Sequence, residues 1–182
     1  MRNIQVVVDT TGSFNLQEIE KQLINMQNDQ SLQNDKVKVS FYSNGETLNK
    51  DLNSLTLPLS EENAKLFGLG DDNFNQVIKS KLESKPDVLM FIGEYMDVSI
   101  EKSTISNSDT KFVFVHTGND QFVEQFFLAE VKDLPNVKST NTTQYTNLNT
   151  FVGSDNALGN KIAQLRVING SLDSDLDFKF KR

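Results

Sequence analysis

Ile4-Gln5-Val6-Val7-Val8-Asp9-Thr10-Thr11-Gly12-Ser13 is the stretch that decides how this chain reads. Its first half is a β-branched run, the pattern of a strand buried on both faces at the centre of a parallel sheet. Its second half is a polar turn carrying one acid, three hydroxyls and a glycine. Ligands of open α/β sheets sit outside the carboxyl ends of the strands. The strand therefore predicts the fold, and the turn predicts where the chemistry lies.

Working outward, strand-like and helix-like segments alternate along the chain. Asn15 and Glu18 have capping-box spacing, and Leu16, Ile19, Leu23 and Met26 fall on one helical face. The polar tract 28–35 closes that helix. Residues 37–42 read as the next strand, with Ser43-Asn44-Gly45 as its turn, and residues 55–59 as a short edge strand, because Pro58 is excluded from a central one. A loop containing Gly68, Gly70, Asp71 and Asp72 leads into a helix carrying Phe74, Ile78 and Leu82. Residues 88–92 form a second apolar strand, preceded by Pro86 and ended by Gly93-Glu94, and residues 111–115 form a third. Asp120 is placed to cap a helix bearing Val123, Phe127, Val131 and Leu134. Residues 137–139 make a short last strand, and helical material follows over 143–168, divided at Gly153.

This alternation predicts an α/β fold with a doubly wound, mostly parallel central sheet flanked by helices. The segments 4–8, 88–92 and 111–115 are expected as neighbouring inner strands. The domain is expected to span 1–168. The remainder, 169–182, turns from acidic to the alternating Phe178-Lys179-Phe180-Lys181-Arg182, and reads as an edge strand, a docking peptide or a frayed tail.

Composition narrows the function. The 182 residues suit one domain, with 37% hydrophobic and 24% charged residues of mixed sign. A formal net charge of -7 lacks the basic footprint of a nucleic-acid binder and disfavours anionic membranes. It suits a protein partner with a basic contact surface, or a divalent cation. The absence of cysteine excludes disulfides, thiolate nucleophiles and cysteine zinc sites. The apolar run that stops at Asp9 is shorter than a secretory signal, and no run reaches transmembrane length, so a cytoplasmic address is expected.

Asp9, Thr11 and Ser13 stand at alternate positions of the turn, where their oxygens can converge on one hard cation such as Mg²⁺ or Mn²⁺. The turn resembles the metal-ion-dependent adhesion site of von Willebrand factor A-type domains, whose signature is DxSxS or DxTxS. The order of elements is similar across about 3–168. Gly70-Asp71-Asp72-Asn73 stands where that family commonly has Gly-Gly-Thr-Asp or Gly-Gly-Thr-Asn, ahead of the apolar pair Val77-Ile78. Ile92-Gly93-Glu94 stands where the family has an apolar residue, Thr and Asp. Asp72 thus replaces a hydroxyl ligand, Gly93 a Thr and Glu94 an Asp. The resemblance implies a metal set of Asp9, Thr11, Ser13, Asp72 and Glu94, and a protein-binding or adaptor module whose ion is completed by an oxygen from the partner. Cytosolic members of that family often serve as assembly factors, some beside AAA+ ATPases.

Two other readings stand beside it. One is a structural or mobile-element protein, of phage or plasmid type, that keeps the fold without the ion. The other is a metal-dependent phosphoester hydrolase, supported by the carboxylates alone. Asp9, Asp71, Asp72 and Asp120 also have ordinary roles as helix caps. His116, the single histidine, follows an apolar strand with no serine elbow in the sequence, and reads as structural. There is no Gly-x-x-x-x-Gly-Lys-Ser/Thr and no Gly-x-Gly-x-x-Gly after the first strand, which removes the phosphate-cradle and dinucleotide fingerprints. The Asp9 turn lacks the second Asp of haloacid-dehalogenase-type phosphatases. No catalytic residues are predicted.

Overall fold

In the computed structural model, the described residues are 1–10, 16–59, 73–93, 99–105, 108–117 and 123–153. They fall into two compact units, Met1–Asn147 and one that begins at Leu148.

The first unit is built on a six-stranded, mostly parallel sheet. Its strands are β1 (Asn3–Asp9), β2 (Lys36–Tyr42), β3 (Glu46–Asp51), β4 (Val88–Gly93), β5 (Lys111–His116) and β6 (Val137–Asn141), in the spatial order β3-β2-β1-β4-β5-β6. Only β3 runs antiparallel to its neighbour. The helices are α1 (Leu16–Gln27), α2 (Phe74–Leu82) and the one-turn α3 (Lys102–Ile105). The three apolar runs are inner neighbours as expected, with Val6 opposite Met90 and Met90 opposite Val113. Every residue from Ile4 to Asp9 is buried, as is every residue of β4, so both faces of the sheet are covered.

Alternation along a strand sends successive side chains to opposite faces. One face carries Val7, Leu89, Phe91, Phe112 and Phe114, packed with Phe74, Val77 and Ile78 of α2 and with Val123, Phe127 and Val131. Edge-on aromatic contacts bind this layer, with ring centroids 4.6 Å apart for Phe74 and Phe91 and 5.3 Å apart for Phe74 and Phe127. Met90 points to the other face, where its sulfur receives the Tyr145 hydroxyl at 4.0 Å. The chain leaving β6 is tied to α1 there: Gln22 Nε2 donates to the Thr142 carbonyl at 2.6 Å, and the Thr142 hydroxyl donates to Glu18. Ile19, Leu23 and Met26 are the buried stripe of α1, as the periodicity predicts, while Leu16 is half-buried.

Several expectations need correction. The edge strand is Glu46–Asp51, not residues 55–59. The Asn44-Gly45 turn, with φ of 56° and 106°, reverses the chain at once and lays β3 antiparallel on β2. Residues 55–59 are kept out of the sheet because their backbone groups go elsewhere. The Leu55 amide closes a turn on the Leu52 carbonyl at 3.2 Å, and Gln27 Nε2 donates to the carbonyls of Leu52 and Leu55 at 2.9 and 3.0 Å.

At the other end of the chain, helix does not begin at Thr143. Asn141 Oδ1 instead accepts from the amides of Thr143 and Gln144, at 3.1 and 2.9 Å, and holds a turn there. The described helix is Asn149–Val152, and it stops at Gly153, φ 79°, in the second unit. The expected helix after β5 is a single π-turn over Val123–Phe127 that relaxes into turns, although Val123, Phe127 and Val131 are buried as predicted. Asp71, Asp120 and residues 154–182 lie outside the described residues. Among those described, no helix is long and apolar enough to cross a membrane.

Candidate functional site

The chain starts at the centre of the sheet, runs through β2 to the β3 edge, then returns beside β1 with β4 and builds the other half. The strand order reverses between β1 and β4. At such a reversal the connections leave in opposite directions, and a crevice opens at the carboxyl ends of the two strands. Asp9 ends β1 and Gly93 ends β4, so these two residues form the floor of that crevice.

Asp9 is 3% exposed, which is unusual for a carboxylate. By strand alternation it lies on the face of Val7 and Phe91, which is also the face of α2. Gly93 makes this placement possible: a Cβ built on it would lie 2.8 Å from the Asp9 Cβ and 3.5 Å from Phe91 Cε1. Asp9 thus occupies the space that any other residue at position 93 would claim. Thr10 is turned away from the crevice. Its amide and its hydroxyl both donate to the Tyr42 carbonyl, at 2.9 and 2.8 Å, prolonging the β1–β2 pairing by one residue.

Two further elements meet the crevice. The first turn of α2 stands on the Asp9 face, because Phe74 packs on Phe91. Its N-cap is Asn73, whose Oδ1 accepts from the Gln76 amide at 3.2 Å. Sequence reasoning gave the capping role to Asp71 and Asp72 and passed over Asn73, although Asn is a favoured cap. On the far side, His116 ends β5 in register with Gly93, and the Thr117 amide donates to the Gly93 carbonyl at 3.1 Å. His116 is buried, and its carbonyl accepts from Thr142 at 3.0 Å, which agrees with a structural part for this residue. A shallow depression lined by Phe91, Gly93, Phe114, His116, Val123 and Phe127 adjoins it.

Of the predicted metal set, Asp9 is where the sequence put it. Thr11, Ser13, Asp72 and Glu94 lie outside the described residues. Among the described residues, no group of three or more His, Asp or Glu side chains gathers as a metal site requires. The donors the sequence offers at this end are carboxylates and hydroxyls with no sulfur, which suits a hard, oxygen-preferring cation.

One polar group at this end escaped the sequence reading. Asn75, in the first turn of α2, is 6% exposed, and both ends of its amide are used. Its Oδ1 accepts from the Glu101 amide at 2.8 Å and from the Thr104 hydroxyl at 3.4 Å, while its Nδ2 donates to the Ser99 carbonyl at 3.2 Å.

Searches against protein-family models and against curated proteins return no match to this chain.

Proposed function

We propose that this protein is a doubly wound, von Willebrand A-type protein-binding module that holds Mg²⁺ or Mn²⁺ at the carboxyl ends of β1 and β4. The observation that carries the reading is the buried Asp9 carboxylate at the point where the strand order reverses, packed against a glycine at the end of the neighbouring strand. Thr11, Ser13, Asp72 and Glu94 are the remaining proposed ligands, each one residue to a few residues from the floor of the crevice or the start of α2 along the chain.

Three carboxylates about a divalent ion leave the site net negative before a partner arrives. A further Asp or Glu from a partner would meet repulsion of about a few kcal/mol at intermediate dielectric. The partner this site favours is therefore one with a basic contact surface, in keeping with the overall charge of -7.

Hydrolysis has less support. The one described serine close to a potential base is Ser40, whose hydroxyl accepts from Lys81 Nζ at 2.8 Å. Ser40 is 1% exposed, and Lys81 also pairs with Glu46 at 3.0 Å, so the amine serves as a buried hydrogen-bonded cation and the hydroxyl is out of reach of substrate.

Calorimetric titration of the full chain with Mg²⁺, Mn²⁺ and Ca²⁺, beside Asp9→Asn, tests the proposal. Heat and thermal stabilisation in the wild type that vanish in Asp9→Asn support it. No response from either protein leaves the alternative of a structural or mobile-element protein that has the fold and no ion. Robust phosphoester turnover that is lost in Asp9→Asn would transfer the site to the hydrolase reading.

A further inference from the structure

We infer that Asn75 is a positioning residue for the ion site, tying together the two connections that carry Asp72 and Glu94. This rests on the ion-binding reading above. The connection that leaves β4 is held at its start by the sheet, where the Gly93 carbonyl accepts from the Thr117 amide at 3.1 Å. Its far end is held by one side chain. Asn75 takes the Ser99 carbonyl, the Glu101 amide and the Thr104 hydroxyl, so three residues of the returning segment are fixed by a single buried amide. The Ile100 amide, donated to the Phe127 carbonyl at 2.9 Å, locks the same segment from its other side.

Glu94 is the first residue past the sheet anchor, and only five residues separate Gly93 from Ser99. A connection this short, pinned at both ends, has little freedom in where it presents a side chain. Asn75 is also three residues past Asp72 and two past the cap Asn73. One side chain therefore sets the return of one ligand-bearing connection against the helix that begins just after the other. Apolar packing alone does not account for an asparagine there. A leucine would fill the same volume within α2 and would leave the Glu101 amide and the Ser99 carbonyl without their partner. Groups that orient ligand-bearing segments without touching the ion usually change metal affinity by about 10- to 100-fold when replaced.

The test compares Mn²⁺ affinity, and the rise in melting temperature produced by saturating Mn²⁺, across wild type, Asn75→Leu, Thr104→Val and Lys81→Met. Lys81→Met is the control for mere destabilisation: it lies in the same helix, at the end remote from the site, and it loses its bonds to Ser40 and Glu46. The expected result is about a 10-fold or greater loss of Mn²⁺ affinity in Asn75→Leu. A smaller loss in the same direction is expected in Thr104→Val, with the full Mn²⁺-dependent rise kept in Lys81→Met. Thr104→Val removes one long hydrogen bond and carries the test if Asn75→Leu does not fold. Unchanged affinity in both Asn75→Leu and Thr104→Val overturns the positioning role while leaving the ion reading intact. An equal loss in Lys81→Met also overturns it, because binding then follows stability. A wild type that ignores Mn²⁺ overturns the ion reading and this inference together.

Discussion

Asp9 and Gly93 end adjacent parallel strands so closely that a Cβ on the glycine would stand 2.8 Å from the Cβ of the aspartate. That atom belongs to the base of a buried side chain and cannot swing aside as the tip of a lysine would. Gly93→Ala is expected to cost about 1–3 kcal/mol, the usual penalty for overpacking a filled interior. Asp9→Gly should relieve that cost. Urea denaturation of the two single variants and the double variant measures the coupling. Strictly additive effects would mean that the two residues do not compete for space.

Arg2 and Asp35 form the principal buried ion pair at the opposite end of the sheet. Arg2 Nη2 lies 2.7 Å from Asp35 Oδ2, and the Arg2 backbone amide donates to Oδ1 at 3.0 Å. Burial by itself raises the Asp35 carboxyl, but the hydrogen bonds and charge of Arg2 outweigh it and hold the group below its ordinary value. A carboxyl depressed in the folded state contributes stability above its unfolded value, about pH 4, and loses it as pH falls through the folded value. Arg2→Met is expected to cost about 3–5 kcal/mol at neutral pH, because it strands a buried carboxylate. The gap from wild type should narrow below about pH 4. Denaturation at a series of pH values follows the gap directly, and a pH-independent difference would assign the loss to packing.

Lys81 carries the edge hairpin. From α2 its ammonium reaches Ser40 on β2 and Glu46 at the start of β3, and lies 5.5 Å from the centre of the Tyr42 ring. Lys81→Met should lower stability by about 1–3 kcal/mol, since it leaves a buried hydroxyl unsatisfied. It should also raise amide exchange in residues 46–51 more than in β1 or β4. Uniform acceleration across the sheet would show that the hairpin has no separate dependence on this lysine.

Tyr145 sits under the covering layer opposite α2, and its phenol is pushed above the ordinary range by burial, with a further push from the charge of Asp29. The neutral phenol is the form the fold favours. Its contribution is therefore whole below about pH 10 and declines as pH rises from there through the folded value. In an alkaline absorbance titration of the three tyrosines, one step should coincide with loss of structure and vanish in Tyr145→Phe. Three reversible steps near pH 10 in a folded protein would remove Tyr145 from the buried layer.

How far the sequence carries the fold depends on what each element buries. β1, β4 and β5 are apolar on both faces, so their place inside the sheet follows from composition alone. β3, Glu-Thr-Leu-Asn-Lys-Asp, is exposed at five of six positions and shows no apolar alternation. Its strand character comes from the Asn44-Gly45 reversal and the grip of Lys81, which are tertiary facts. The residues 55–59 have the apolar look of a strand, but Gln27 takes their neighbouring carbonyls out of the sheet. At the candidate site the position of Asp9 is legible, because a strand this apolar has to be central and its end has to face the crevice. Asn75 is not legible: helical periodicity marks it only as a polar residue beside Phe74, and its three partners lie 24 to 29 residues away.

The pinning of the amino terminus has a practical side. Arg2 and Asn3 donate their backbone amides to Asp35 and Asp87, which fixes the start of β1, while Met1 projects into solvent at 85% exposure. From Asn3 to Asp9 the strand runs about 20 Å, so Met1 and the crevice are at opposite poles of the sheet. A fluorophore, affinity handle or surface tether joined at Met1 would hold the molecule with its carboxyl-end crevice turned outward, open to whatever is flowed across it.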